Sequence, residues 1–519
     1  MAKFNGRLAT VVLGIAAAFG AAPLASQAAT AADKVRVIVA FKQGAVSAGH
    51  AAIAAAGGRT VLDVGGFNAV AVELPRKAVA LLQRSPHVEF VEEDKLQYAF
   101  ALSDPSGPPY LPGQQVPYGI KMVQADQVSD STTTNRTVCI IDSGYDLAHE
   151  DLSANHVSGE NLTTSGSWST DEAHHGTHVA GTVAAINNSV GVVGVNPNKN
   201  LNLYIVKVFD ASGSAPSSVI AKAMLRCGMN GANVVSMSLG GSSPNKLQEK
   251  IADWLTTKRN TLVIAAAGNA GNSTVSYPAG FENVVSVAAL DVNKAWASFS
   301  QTNPDVEIAG PGVSVLSTVP MGTGTTASAT VGATAYEVNG FTGSPLGTAT
   351  APLANFGLGD HTDPAVAGKV CLIQRGSVDF ATKVTNCQAS GGVGAIVYNN
   401  APGGFLGTLG TAVTTIPSVS ASDTAGADML TKLGQSATVT VAASNYALFD
   451  GTSMATPHVS AVAALVWSHY PNCTAAQMRS TLNKSAQDLG DPGRDVKFGY
   501  GLVQAKAALD RIASLGCGN

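Results

Sequence analysis

Thr137-Val138-Cys139-Ile140-Ile141-Asp142-Ser143-Gly144 is the stretch on which the fold turns. A run of apolar and β-branched residues leads straight into a carboxylate and a small-residue turn. An unbroken run of this kind, without polar alternation, is the pattern of a strand buried on both faces, and so of a parallel sheet. Similar runs follow at 203–208, 234–238, 262–267 and 284–288, with helical patterns between them. The expected fold class is α/β, a doubly wound and mostly parallel sheet. Open sheets of this type carry their sites at the C-terminal ends of the strands, which makes Asp142 the first candidate.

The chain has 519 residues, room for two to four domains of about 100–200 residues each. Lys and Arg number 31 against 35 Asp and Glu, a net charge of −4. That balance offers nothing to nucleic acid or to an anionic membrane. Charged residues are 13% and apolar residues 45%, which builds a large core and excludes a disordered chain. The glycines show no Gly-X-Y period, which excludes collagen.

Lys3 and Arg7 precede an apolar run at 8–22; Pro23 and small residues at 25–29 follow. This is a secretory signal peptide over 1–29, too short to span a bilayer. The mature protein is expected to be secreted and extracellular, with no membrane anchor. There the six cysteines can oxidise, with 15 pairings open.

Residues 34–98 read as a small α+β unit, with strands at 35–39, 69–74 and 88–91 and helices at 50–56 and 76–84. Residues 104–113 read as an exposed linker rich in Pro and Gly. From 321 to about 443, Thr, Gly and Ala dominate, and two or three strands and one helix at 379–390 are visible. A long helix at 453–470 then resumes the α/β pattern, so a mainly β domain is inserted into the larger one.

Three motifs carry chemistry. Asp142 ends a strand. His175 opens His175-Gly176-Thr177-His178-Val179-Ala180-Gly181, a small-residue helix. Ser453 sits at a helix start in Gly451-Thr452-Ser453-Met454-Ala455-Thr456-Pro457-His458, where Pro457 is tolerated if it falls in the first turn. Each alone reads equally as a cap, a packed helix or a turn. His174, His175 and His178 lack the His-Glu-x-x-His spacing of a metal hydrolase. In the order Asp, His, Ser they match the triad order of subtilisin. An α/β-hydrolase esterase would need the order Ser, Asp/Glu, His and a Gly-x-Ser-x-Gly elbow, and neither is present. A non-catalytic binding protein that keeps the fold is the other class; fluorophosphonate labelling of Ser453 separates the two.

On these three motifs the chain resembles a secreted serine endoprotease of the subtilisin (subtilase) family. The resemblance implies Asp142, His175 and Ser453 as the triad. A serine hydroxyl needs a neighbouring base to become a nucleophile, and the acid fixes that base in one tautomer. Ala265-Ala266-Ala267-Gly268-Asn269 is similar to the family's oxyanion segment, which implies Asn269 as a donor beside the Ser453 amide. Ser238, Leu239 and Gly240 resemble the strand that pairs with substrate, and Ala266 and Gly268 the opposite wall of the pocket. Ala270 and Ser276 stand at its far end, so an apolar or aromatic residue is expected before the cut bond (P1).

The resemblance also implies a structural Ca²⁺ held by Gln114, Asp151 and Asn188 with carbonyls of Ile186, Val190 and Val192, all oxygen donors. A weaker cation site near Ala279, Phe281, Val284 and Asp305 is a further expectation. The unit at 33–102 resembles the family's propeptide, an intramolecular inhibitor cut autocatalytically between about 98 and 113. The insert, 325–442, resembles a protease-associated (PA) domain through 368–376, 380–383 and 391–400. It departs in having Ser377-Val378 where a Cys often follows the Arg-Gly. The catalytic domain is then 114–320 and 446–519. A monomer acting on proteins and peptides is expected. A relative bridges the regions of Cys139 and Cys227, which suggests that pair, with Cys371–Cys387 inside the insert and Cys473–Cys517 remaining.

Overall fold

The computed structural model describes residues 34–94, 96–99, 102–103, 106–107, 114–401 and 403–519. The expected signal peptide and most of the expected cleavage region lie outside the described residues.

The strand Thr137–Asp142 sits third from one edge of a seven-stranded parallel sheet. The order is Val306–Pro311, Val284–Leu290, Leu262–Ala266, Val234–Met237, Thr137–Asp142, Asn202–Lys207 and His156–Asn161. Successive side chains of a strand point to opposite faces. Val138 and Ile140 accordingly join one core with Val462 and Leu465, while Cys139 and Ile141 join a second with Met224 and Ile251. Each fully buried Ile contributes about 1.5–3 kcal/mol. The helices Ser217–Met229 and Lys246–Arg259 cover the second face, and Thr452–His469 crosses the first.

The sequence runs account for the five inner strands. The two edge strands, His156–Asn161 and Val306–Pro311, were not among the expected ones. His156–Asn161 is a half-exposed edge with little apolar surface to bury, whereas Val306–Pro311 is buried throughout but interrupts its aliphatics with Glu307, Gly310 and Pro311.

The N-terminal unit is a four-stranded sheet in the order Arg59–Asp63, Ala69–Pro75, Lys34–Phe41, Val88–Glu93, with the helix Val46–Ala55. Two carboxylates at its tail cap helices of the large unit. Asp94 accepts from Ser217 Oγ (3.0 Å), Ser218 N (2.8 Å) and Ser218 Oγ (2.5 Å). Glu92 accepts from the amides of Lys246 (2.9 Å) and Leu247 (3.3 Å). Carboxylates at helix N-termini satisfy orphan amides and oppose the helix dipole.

Among the described residues the insert holds eight strands and the helices Phe380–Ala389 and Asp423–Leu430, more than the two or three strands expected. Strands such as Gly324–Val331 (GTTASATV) alternate buried and half-exposed positions, but with Ala, Thr and Ser in place of large aliphatics. The insert's first and last strands pair along their whole length, from Gly324↔Ser444 to Val331↔Ala437. The linker expected at 104–113 is extended in part, since Ser106 and Gly107 pair with Thr325 and Thr326 of the insert. The structure contains the disulfides Cys139–Cys227, Cys371–Cys387 and Cys473–Cys517. No helix among the described residues is long and apolar enough to cross a membrane.

Candidate active site

Asp142 is the last residue of its strand and is fully buried. Its Oδ1 accepts from the Ser143 amide (2.8 Å) and lies 2.7 Å from His175 Nδ1. His175 is the first residue of the helix His175–Ala184. That helix starts at a left-handed His174 (φ 65°), and its orphan amides are met from outside. Gly176 N donates to Ser143 Oγ (2.8 Å) and Thr177 N to Asp171 Oδ2 (2.8 Å). The residue after the acid thus anchors the helix that carries the base.

Ser453 is the second residue of Thr452–His469. Pro457 lies past the first turn, contrary to expectation, and leaves the Ser453 carbonyl without its helical donor. Ser238 Oγ takes that place (2.7 Å), and Ser453 Oγ donates back to the Ser238 carbonyl (3.0 Å). Asn269 Oδ1 accepts from both Thr452 N (2.9 Å) and Thr452 Oγ1 (2.8 Å). Its oxygen is thereby fixed on the helix start, which leaves its NH₂ as the donor end of the amide. Gly268 (φ 109°) is required beside it, because a Cβ there would lie 1.6 Å from Gln301 Oε1.

Lys207 was not singled out in the sequence. It pairs with Asp142 across the sheet and is fully buried. Its Nζ donates to the carbonyls of Ser143 (2.6 Å) and Thr170 (3.1 Å) and to the Glu172 carboxylate. One cation therefore ties the loop after the acid to the loop before the base. The available signal was a lone Lys ending an otherwise apolar strand. His178, by contrast, is a packing residue. It stacks on Phe449 at 4.2 Å, and burial pushes its pKa down to about 3.

The chain itself crosses this site. Leu96–Ala99 forms an antiparallel strand between Ser214–Pro216 and Leu239–Gly240, with Tyr98 opposite Gly240 and Ala99 opposite Leu239. Beyond it, Leu102 and Ser103 pair antiparallel with Asp450 and Phe449, on the strand Tyr446–Asp450 that leads to Ser453.

The residues expected at the calcium site come together. Gln114 Nε2 reaches the carbonyls of Ile186 (2.8 Å) and Val192 (3.4 Å), and Asn188 Nδ2 reaches Asp151 Oδ1 (2.8 Å). Val190 meets the group through its amide, which donates to Asn188 Oδ1 (3.1 Å). A Cβ on Gly191 would run into Asp151 Oδ2 at 2.3 Å. Burial raises the Asp151 pKa, as it does for a carboxylate set inside without a nearby cation. Of the residues expected near a weaker cation site, Val284 has its carbonyl within reach of Arg479 Nη2 (3.4 Å), whose Nη1 donates to the Glu282 carbonyl (2.7 Å).

An acid held against an imidazole at the outer end of a parallel sheet, in the chain order Asp, His, Ser, is the layout of a serine hydrolase built on a doubly wound fold. The chain belongs to the subtilase family, whose profile matches residues 133–349 and 401–501, with a PA domain matched at 327–429. It is a subtilisin-like serine endopeptidase. Subtilisin amylosacchariticus of Bacillus subtilis subsp. amylosacchariticus is 36% identical over 310 residues, 58% of this chain and 77% of that protein. Subtilisin DY of Bacillus licheniformis is 42% identical over 223 residues, 42% of this chain and 80% of that one. The psychrophilic subtilisin-like protease Apa1 of the Antarctic psychrotroph Pseudoalteromonas sp. AS-11 superposes with a TM-score of 0.66 at 42% identity. That superposition covers 78% of this chain and 100% of the other.

Proposed function

We propose that the protein is a secreted endopeptidase made as a self-processing zymogen, with Asp142, His175 and Ser453 as its triad. Ser453 Oγ attacks the scissile carbonyl as its proton passes to His175 Nε2. Asp142 holds Nδ1–H and stabilises the imidazolium. The Asn269 amide and the Ser453 N–H receive the oxyanion, and His175 then protonates the departing amine. Water hydrolyses the acyl-enzyme by the same steps in reverse order of proton transfer.

The observation that carries this reading is the chain's passage across Ser453. Ala99 pairs with Leu239 on one side and Leu102 with Asp450 on the other, in segments that lead to Ser238 and Ser453. Of the bonds between those two paired segments, Phe100–Ala101 is the one with an aromatic P1, and it is the cut proposed. An aromatic P1 agrees with the pocket the family resemblance implies, walled by Ala266 and Gly268 and with Ala270 and Ser276 at its far end. The N-terminal unit, held by Asp94 and Glu92, is the inhibitor that remains after the cut.

A structural Ca²⁺ would be held by Asp151 and the carbonyls of Ile186, Val190 and Val192, with Gln114 and Asn188 turning their amides over so that oxygen replaces the NH₂ now facing the group. When bound it would neutralise the buried Asp151 and brace the loop at 186–192. Secretion follows from the signal peptide.

The test is N-terminal sequencing of the first processed form, expected to begin at Ala101, combined with fluorophosphonate labelling of Ser453. A different first residue overturns the proposed cut. Absence of labelling in the processed protein overturns the triad.

A further inference from the structure

We propose that Lys207 is a positioning residue for the reaction, whose buried ammonium sets the separation of Asp142 and His175 by holding the two loops that carry them. This rests on the triad reading above.

The strand Asn202–Lys207 runs parallel to Thr137–Asp142 and ends level with it, Lys207 opposite Asp142. Residues 203–207 of that strand are all buried. A lysine belongs there only if its N–H groups find partners, because an ammonium withdrawn from water is costly unless it is fully hydrogen-bonded. The partners are the Ser143 carbonyl (2.6 Å), the Thr170 carbonyl (3.1 Å) and the Glu172 carboxylate. Ser143 follows the acid directly, and Thr170 and Glu172 stand just before the base. Every donor is therefore spent on the surroundings of the acid–base pair.

The hold is passed on by short contacts. Ser143 N donates to Asp142 Oδ1 (2.8 Å), and Ser143 Oγ accepts from Gly176 N (2.8 Å), the residue after His175. The residue whose carbonyl meets the ammonium thus orients the acid and anchors the base helix. On the other loop, Asp171 lies between Thr170 and Glu172. Its Oδ2 accepts from Thr177 N (2.8 Å) and Thr177 Oγ1 (2.7 Å), so the segment that Lys207 grips also caps the base helix. The backbones are in close contact. A Cβ on Gly144 (φ 125°) would run into the Thr170 carbonyl and lie 3.2 Å from Lys207 Nζ, and one on Gly176 would run into the Gly144 carbonyl. The chain after Lys207 joins the same knot, since Val208 N (2.8 Å) and Phe209 N (3.4 Å) donate to the Asp142 carbonyl. A side chain of equal length without donors would fill the space and release both loops. Misplacing a reacting group by about 1 Å costs on the order of 100-fold in rate.

The test compares processed wild-type enzyme with Lys207→Met, which keeps the length and drops the donors. The substrate is an internally quenched peptide carrying Gln-Tyr-Ala-Phe-Ala-Leu-Ser, the sequence of residues 97–103. Rates are expressed per Ser453 titrated to completion with a fluorophosphonate. Lys207→Met should lower kcat roughly 10- to 100-fold with KM within about threefold of wild type. The far-downfield proton resonance of the Asp142–His175 hydrogen bond should shift or broaden with it. A folded variant with wild-type kcat, a loss confined to KM, or a slower variant whose resonance is unmoved each overturns the proposal. If Lys207→Met does not fold, Glu172→Ala decides. That side chain is 43% exposed, so its loss is tolerated by the fold. It should lower kcat about threefold or more at constant KM, and an unchanged kcat overturns the proposal. If Ser453 takes no label in the wild-type enzyme, the triad reading itself has failed, a result distinct from a labelled wild type that Lys207→Met does not slow.

Discussion

Replacing Asp94 by alanine should loosen the grip of the N-terminal unit on the catalytic domain far more than any other single change on that surface. Asp94 is almost fully buried and accepts three hydrogen bonds from Ser217 and Ser218 across the boundary. It also pairs with Arg36 of its own unit at 2.6 Å. Truncating a buried, hydrogen-bonded charge costs about 2–5 kcal/mol, much of it from partners left unmatched. Taking about 3 kcal/mol, the inhibition constant should rise on the order of 100-fold. The contrast is Glu89, whose ion pair with Lys250 leaves both side chains nearly half exposed, 47% and 45%. Such a pair contributes about 0–1 kcal/mol, so Glu89→Ala should weaken inhibition less than about fivefold. The assay adds the separated N-terminal unit, wild type or variant, to processed enzyme and measures steady-state inhibition of peptide hydrolysis. If Asp94→Ala costs less than about fivefold, or no more than Glu89→Ala, capping of the Ser217 helix is not what holds the unit in place.

Three further outcomes are expected. Ser453→Ala should leave the N-terminal unit attached and lower kcat on the order of 10⁶-fold, as in subtilisin itself; normal processing of purified variant zymogen would refute the assignment. Chelation should speed thermal inactivation, since a cation at about 100-fold over its Kd adds about 2.7 kcal/mol to the folded state; Asp151→Ala should mimic it, and unchanged rates in both cases would remove the calcium site. Burial pushes the partly buried Asp450 up to about 6, against the lowering effect of the hydrogen bond its carboxylate accepts from Ser314 N. A raised pKa means the fold favours the neutral acid, so this group's contribution is full below about pH 4 and is lost as pH rises through 6. The loss is at most about 3 kcal/mol. Asp450→Asn should therefore gain on the parent between pH 4 and 7 in a Ser453→Ala background; parallel unfolding curves for the two would refute it.

What could be read from the sequence follows what the fold buries. The five inner strands announce themselves because both of their faces need large aliphatics, as Val138 to Ile141 illustrate. The edge strand His156–Asn161 and the insert's Thr- and Ala-rich strands do not, since half of each faces water or packs with small residues, and Val306–Pro311, though buried, breaks its apolar run with Glu307, Gly310 and Pro311. Asp142, His175, Ser453 and Asn269 sit in motifs whose residue types are fixed by chemistry. Lys207 escapes notice because its role depends on two loops, at Ser143 and Thr170, that only the tertiary structure brings together. Pro457 shows the same limit. Its position past the first turn matters because Ser238, more than 200 residues earlier, supplies the donor that the proline lacks.

All six cysteines are used within single units, Cys139 with Cys227, Cys371 with Cys387, and Cys473 with Cys517. None joins the part of the catalytic domain before the insert to the part after it. The only covalent thread between the acid–base pair and the nucleophile is therefore the insert's own backbone. A single nick in that backbone, for example near the exposed Val413 (90% accessible), would turn one enzyme into a heterodimer. Its halves would be joined by the antiparallel ladder from Val315↔Phe449 to Thr318↔Tyr446 and by a shared core. Such a clipped protease would keep its site while intact, but its unfolding would become bimolecular in reverse. Dilution, which leaves the unbroken chain indifferent, would then decide whether it survives denaturation.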